Sequence, residues 1–190
     1  MKIRESGMPE KSYWEKLLDV DLILKKLEIN KEIETLVEFG CGYGTFTIPS
    51  SKTINGNIFS FDIDNEVLEI TKNRLANENI KNVDLYKRDF ILNGTGIEEN
   101  SVDYVMLFNI LHHESPEDLL NESYKILKKN GKLGIIHWNY DSNTPRGPSM
   151  EIRPRPDNIK QQTLNVGFDL LKKEILDLPP YHYGFLFFKP

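Results

Sequence analysis

The stretch Val37 to Gly44, VEFGCGYG, constrains this chain more than any other. An apolar run of strand length enters three glycines at alternate positions, Gly40, Gly42 and Gly44, and Thr45 opens the next segment. A sharp turn from strand to helix demands positive φ, and a side chain there would block a ligand lying against the backbone. The spacing also discriminates between ligands. A dinucleotide fingerprint, Gly-x-Gly-x-x-Gly, would place its third glycine at Thr45. It also tolerates no fixed negative charge beside a pyrophosphate, yet Glu38 stands two residues before Gly40. Glu38 suits a cationic ligand instead.

The rest of the chain alternates strand and helix signals. Thr35–Phe39, Asn57–Ile63, Val83–Asp89, Val102–Asn109 and Lys132–Trp138 are apolar or alternating runs of strand length. Ser115-Pro116-Glu117-Asp118 opens a helix with a cap, a proline and two carboxylates. Leu119, Leu120, Tyr124 and Leu127 give that helix a buried stripe, Lys128 and Lys129 meet its carbonyl end, and Gly131 can take the left-handed stop. A second helix comes after Asp64, its cap, with Val67, Leu68, Thr71 and Leu75 on one face. Ser12 and Glu15 match a capping box for an N-terminal helix carrying Leu17, Leu18, Leu24 and Leu27. Pro156–Val166 reads as a helix stopped by Gly167, and Phe168–Leu178 with Gly184–Phe188 as a hairpin around LPPYHYG. This order predicts an α/β fold with a doubly wound, mostly parallel sheet.

Composition removes several classes. The chain has 190 residues, of which 39% are hydrophobic and 28% charged, enough for one core without disulfides or a structural metal. A single cysteine, Cys41, makes neither an internal disulfide nor a CxxC metal or redox site, so no metal is expected. A net charge of -5 and a pI near 5.5 argue against nucleic acid as partner. No apolar run approaches the length of a signal peptide or a membrane span, so the expected setting is cytoplasmic, with no membrane partner. One domain is expected over residues 1–190, with an N-terminal helical extension or lid at 1–30, a cofactor-binding core at 31–140 and an acceptor-side loop, helix and hairpin at 141–190.

At this point the chain resembles the class I S-adenosylmethionine-dependent methyltransferases, whose first motif is Glu/Asp-x-Gly-x-Gly-x-Gly. Glu38, Gly40, Gly42 and Gly44 match it position by position. The resemblance implies a Rossmann-like, seven-stranded, mostly parallel sheet with helices on both faces and an antiparallel seventh strand. It implies S-adenosyl-L-methionine as the cofactor. Asp62, 22 residues after Gly40 in FSFDID, is similar to the acid that grips the ribose hydroxyls, with Ile63 beside it. Asp89, followed by Phe90, resembles the residue that accepts from the adenine amino group. Residues 101–113, SVDYVMLFNILHH, resemble the fourth-strand motif, which brings Asn109 to the cofactor, and residues 127–136 resemble the helix-turn-strand after it. The nearest branch is the small, single-domain type 11 group, similar to ubiquinone- and menaquinone-biosynthesis methyltransferases. Phe108-Asn109-Ile110-Leu111 departs from the Asn/Asp-Pro-Pro-Tyr/Phe motif, which disfavours DNA adenine and protein glutamine. One cysteine disfavours arsenite.

Ligands of open α/β sheets lie beyond the carboxyl ends of the strands. That rule selects Asn109, His112 and His113 after the fourth strand, His137, Trp138 and Asn139 after the fifth, and Tyr181 to Tyr183 in the hairpin. Methyl transfer needs alignment and exclusion of water, and a base only if the attacking atom loses a proton. His113 is the first candidate for that base; the alternative is that it caps and packs the next helix. Residues 143–156 contain four prolines and three arginines, a stiffened loop. Arg146, Arg153 and Arg155 either hold an anionic acceptor or pin that loop. Tyr13 and Trp14 belong either to a lid over the acceptor or to a helix docked by its aromatic face, and His182 joins the same rim. The expected partner is a small-molecule acceptor. The competing readings are a non-catalytic binder of S-adenosylmethionine and, against the glycine spacing, a nucleotide-cofactor oxidoreductase.

Overall fold

The computed structural model describes residues 9–190; the first eight residues of the expected N-terminal extension lie outside them. Five strands, β1 (Thr35–Phe39), β2 (Asn57–Asp62), β3 (Val83–Lys87), β4 (Val102–Phe108) and β5 (Leu127–Trp138), run parallel in the order β3-β2-β1-β4-β5. Chain order reverses between β1 and β4, which opens a crevice at the carboxyl ends of those two strands. The last strand, β8 (His182–Phe188), lies antiparallel beside β5, pairing Trp138 with His182 and Lys132 with Phe188.

The predicted sixth strand is interrupted. Two fragments, β6 (Asp169–Leu170) and β7 (Leu176–Leu178), pair with opposite ends of β8. Between them the amides of Leu171 and Lys172 both donate to the carbonyl of Leu186, so two residues oppose one and the ladder bulges. Lys172 then turns to the Lys26 carbonyl and the Glu28 carboxylate. Counted as one bulged strand, β6 and β7 complete the expected seven-stranded sheet.

Helices cover both faces. Val37, Phe39, Leu107, Ile135, Phe185 and Phe187 pack with α6 (Pro116–Ile126) and α7 (Pro156–Val166) on one side. Leu36, Ile58, Tyr104, Met106, Ile136 and Leu186 pack with α2 (Val20–Lys26) and the segment of α3 (Thr47–Thr53) on the other. Alternation along β1 puts Glu38 on the Leu36 side, toward α3. The helix α4 (Asn65–Asn77) packs against β2 and β3, capped by Asp64, which accepts from the Glu66 amide, and it buries Val67, Leu68, Thr71 and Leu75 as the sequence pattern requires. Tyr104 reaches through the core to the Leu27 carbonyl, 2.8 Å away, and Gly134 leaves it room, since a Cβ there would stand 2.3 Å from the Tyr104 hydroxyl.

Two helix boundaries differ from expectation. α6 stops at Ile126 because Leu127 is already extended and pairs with Val102. Asn130, with φ 63°, takes the left-handed turn assigned to Gly131. The N-terminal helix is also broken: Ser12 lies inside the short α1 (Lys11–Trp14), with its hydroxyl 3.2 Å from Glu10 Oε1, rather than capping a longer helix. A 3₁₀ turn at Glu15–Leu17 comes next, then Leu18 extends to bridge Pro180, and Asp19 caps α2 by accepting from the Leu22 amide. Among the described residues no helix is long and apolar enough to cross a membrane.

Candidate functional site

The bend after β1 is held from below and from the side. Gly40, Gly42 and Gly44 have φ of 78°, 50° and 73°, as the alternate-glycine reading requires. The amides of Gly40 and Cys41 donate to the Phe61 carbonyl, tying the bend to the end of β2. Asp62 closes the clamp: Oδ2 accepts from the Gly42 amide at 2.9 Å and Oδ1 from the Asp64 amide at 3.0 Å. Thr71 donates its hydroxyl to the Gly42 carbonyl at 2.7 Å, and Arg74 donates to the Tyr43 carbonyl while pairing with Glu15 at 3.0 Å.

Glu38 lies under this bend, 2% exposed. Its Oε2 accepts from the hydroxyls of Thr47, at 2.5 Å, and Ser60, at 2.8 Å. Burial pushes its carboxyl up to about 7, with the Asp62 charge adding to the shift and the two hydroxyls resisting it. Burial likewise raises Asp62 from its ordinary value, against the backbone amides that favour its ionised form. Cys41 is buried beside both acids, which drives its thiol well above the ordinary value, so it is no thiolate nucleophile. Thr47, Ser60, Thr71 and Arg74 are the parts of this site that sequence reading missed. Each acts across 9 to 31 residues of chain, a separation that no local periodicity marks.

Asp89 sits at the head of the short α5 (Phe90–Asn93), where its Oδ1 accepts from the amides of Ile91 and Leu92; Phe90 is buried against Phe39. Ile63, just past β2, is 38% exposed. Asn109 leaves β4 at φ 57°, with its amide donating to the Ile136 carbonyl. Both polar atoms of its side chain are buried without a hydrogen-bond partner among the described residues.

The rim at the ends of β4, β5 and β8 gathers the remaining candidates. His113 is buried, and its Nδ1 faces the Ser115 amide at 3.5 Å, at the start of α6 where Ser115 makes no side-chain cap of its own. His112 and His137 stand edge to face, 5.5 Å apart, and Trp138 and His182 lie 4.3 Å apart. Trp14 meets Trp138 edge-on at 6.0 Å, so α1 docks here by its aromatic side, while Tyr13 is 39% exposed.

Arg153 is a correction. It is buried, and its N–H groups go to the loop itself: the carbonyls of Asn139, Asp141, Arg146 and Pro148 and the hydroxyl of Thr144. A guanidinium has five N–H donors, and these contacts use them, so Arg153 pins the loop and cannot also fork onto an acceptor. Arg155 lies 4.1 Å over the Tyr140 ring, and Arg146 is exposed on the outside of the loop.

Comparison with known proteins supplies the context. The sequence profile described as "Methyltransferase domain" matches residues 36–131, from β1 into β5. An uncharacterized protein of Methanocaldococcus jannaschii is 32% identical over 126 residues, 65% of this chain and 49% of its own length. A demethylmenaquinone methyltransferase of Lactobacillus johnsonii is 26% identical over 123 residues, 63% of this chain and 49% of its own. The chain thus spans about half the length of these curated relatives. The crystal structure of a SAM dependent methyltransferase from Aquifex aeolicus superposes with a TM-score of 0.82 at 21% identity, covering 95% of this chain and 94% of that one. At that identity the likeness speaks to the fold.

Proposed function

The chain belongs to the methyltransferase domain family, and from that premise we propose that it transfers the methyl group of S-adenosyl-L-methionine to a small-molecule acceptor. The observation that carries this reading is the bend itself: three left-handed glycines lie above one buried carboxylate, Glu38, and are clamped by a second, Asp62. A diphosphate would meet two acidic groups, whereas a ligand bearing a sulfonium and an ammonium favours their ionised forms, Glu38 giving up its proton as the cation binds.

The residues fit such a nucleoside. The bend is a cradle without spare room, since a Cβ on Gly44 would stand 2.8 Å from Thr71. The orphaned amide of Asn109 marks a polar group waiting for a partner beside it. In this reading Asp62, with Ile63 alongside, holds the ribose hydroxyls, and Asp89 and Phe90 take the adenine. Gly40, Gly42, Gly44 and Asn109 line the amino-acid portion, and Glu38 supplies the balancing charge. When bound, the sulfonium supplies an electrophilic methyl group, and the protein's work is to align the acceptor with it and exclude water. Tyr13, Trp14, His137, Trp138, Arg146 and His182 form the acceptor side. Where the acceptor loses a proton, His113 takes it. Support for a small acceptor comes from the name of the demethylmenaquinone methyltransferase relative and from the compact, self-bonded loop around Arg153.

The test is turnover. Incubation with methyl-labelled S-adenosylmethionine and a metabolite extract should yield a labelled small molecule. Labelling of protein or nucleic acid instead would overturn the acceptor class, and no transfer across a broad panel, with the cofactor bound, would leave a non-catalytic binder. His113→Gln should cut kcat while leaving cofactor affinity unchanged. A loss of thermal stability with unchanged kcat would assign His113 to capping α6 alone.

A further inference from the structure

Trp14 and Glu15 are neighbours in the chain, yet their side chains are held by opposite banks of the crevice. Trp14 stands edge-on to Trp138 at the end of β5, with ring centroids 6.0 Å apart. Glu15 pairs with Arg74 of α4 at 3.0 Å, and the same guanidinium donates to the Tyr43 carbonyl in the glycine bend. Neighbouring strands lie about 4.8 Å apart, so the ends of β1 and β5, with β4 between them, are separated by roughly 10 Å. Two long side chains from adjacent residues span that distance, across the mouth that opens between β1 and β4.

The crossing segment is weakly built but firmly hinged. α1 has four residues and buries none of them, and a helix that short has no stability of its own. Behind it Leu17 and Leu18 are buried, Leu18 bridges Pro180, and Asp19 caps α2. The segment from Lys11 to Lys16 can therefore swing about Leu17 without disturbing α2 or the sheet. Among the described residues, its fastening on the cofactor bank is the Arg74 pair, with Lys11 adding an attraction toward Glu78 at the end of the same helix. The Arg74 and Glu15 side chains are 21% and 36% exposed, so water and salt reach the pair.

Resting on the methyl-transfer reading of this site, we propose that Trp14 and Glu15 form a clasp across the crevice, with Arg74 as its catch, and that release of the catch gates entry and exit of the cofactor. Arg74 serves through two separate nitrogens: Nη1 steadies the bend and Nη2 fastens the clasp. A gate changes kon and koff together and leaves Kd alone. A residue that helps to hold the ligand instead raises koff and weakens Kd when it is removed.

The clasp contains both tryptophans of the chain, so its movement is seen directly. Stopped-flow tryptophan fluorescence of the full chain with S-adenosylhomocysteine, whose net charge is zero, gives both rates. Loss of a half-exposed ion pair raises the open population up to about fivefold, so Glu15→Ala should raise kon and koff each by about that factor with Kd unchanged. Glu15→Lys, which sets a like charge against Arg74, should raise them further, and Glu15→Gln, which keeps an oxygen for the guanidinium, should fall between wild type and Glu15→Ala. Raising salt from about 0.05 to 0.5 M should speed exchange in wild type and act much less on Glu15→Ala. Unchanged rates in Glu15→Ala and Glu15→Lys would overturn the clasp. So would a rise in koff alone with Kd weakened to match, which would make Glu15 part of the ligand's own binding surface. Exchange in the unmodified protein that ignores salt would overturn it without any variant. Failure of S-adenosylhomocysteine to bind wild type would strike the cofactor reading itself, and this proposal with it.

Discussion

At the ends of β1 and β2 the protein satisfies its own polar groups; at the ends of β4, β5 and β8 it leaves several of them open. Around the glycine bend, Glu38, Asp62, Ser60, Thr47, Thr71 and Arg74 all bond within the protein, and the Thr45 hydroxyl is the exception. Across the crevice, Asn109, His137 and His182 keep buried polar atoms without partners among the described residues. The contrast teaches how one crevice divides its labour. The cofactor half is shaped before any ligand arrives, which lowers the cost of binding a ligand whose chemistry is fixed. On the proposed reading the second half belongs to the acceptor, and an acceptor that left these buried groups unpaired would bind less well.

The largest expected effect concerns the paired half. Glu38 keeps its proton in the folded state up to about pH 7, while the unfolded chain loses it near 4.5. Between those values the native state binds more protons, so this contribution to stability is full below about pH 4.5 and is lost as pH rises through 7. A shift of this size corresponds to about 3 kcal/mol. Urea unfolding of wild type and Glu38→Gln across about pH 4 to 8 should show the difference between them changing by roughly that amount. A difference that stays flat with pH would show that Glu38 is ionised throughout, and that the bend carries a full charge even when empty.

The next effect separates holding the bend from holding a ligand. Asp62→Ala should weaken S-adenosylhomocysteine binding by about 1.5 to 3 kcal/mol in calorimetry, from lost charged hydrogen bonds. Unchanged affinity would confine Asp62 to clamping Gly42 and Asp64.

Gly134→Ala tests the sheet beneath both halves. Its new Cβ meets the buried Tyr104 hydroxyl, so overpacking should cost about 1 to 3 kcal/mol in urea unfolding, with ligand affinity intact. An equal loss of ligand affinity would mean that the two halves are coupled through β4 and β5. The smallest effect belongs to Arg74→Ala, which severs the half-buried link from Glu15 to the Tyr43 carbonyl and should cost about 1 kcal/mol by thermal or urea unfolding. A cost several times larger would make the N-terminal segment part of the bend rather than an attachment to it.

Much of this division is legible in the residues. The three glycines announce their φ values because most residues with a Cβ adopt them only at a cost, and Asp64 announces itself as a cap by its place before a helical pattern. The α6 stop and the broken N-terminal helix are not legible in the same way. Leu127 extends because Val102 pairs with it, and Leu18 because Pro180 does, and both partners are remote in sequence. The same reason hides the Arg153 cluster: three arginines among prolines look alike in sequence, and the turning of the loop alone decides that Arg153 is buried while Arg146 is exposed. The orphaned imidazoles are the extreme case, because a missing partner leaves no mark in a sequence.

The central claim is that the glycine bend, with Glu38 below it and Asp62 beside it, receives a sulfonium nucleoside. Isothermal titration of the full chain with S-adenosylmethionine, followed by competition with NAD, tests it most directly. Saturable one-to-one binding of S-adenosylmethionine that NAD does not displace is the predicted result. Displacement by NAD, or heat from NAD with none from S-adenosylmethionine, would contradict it.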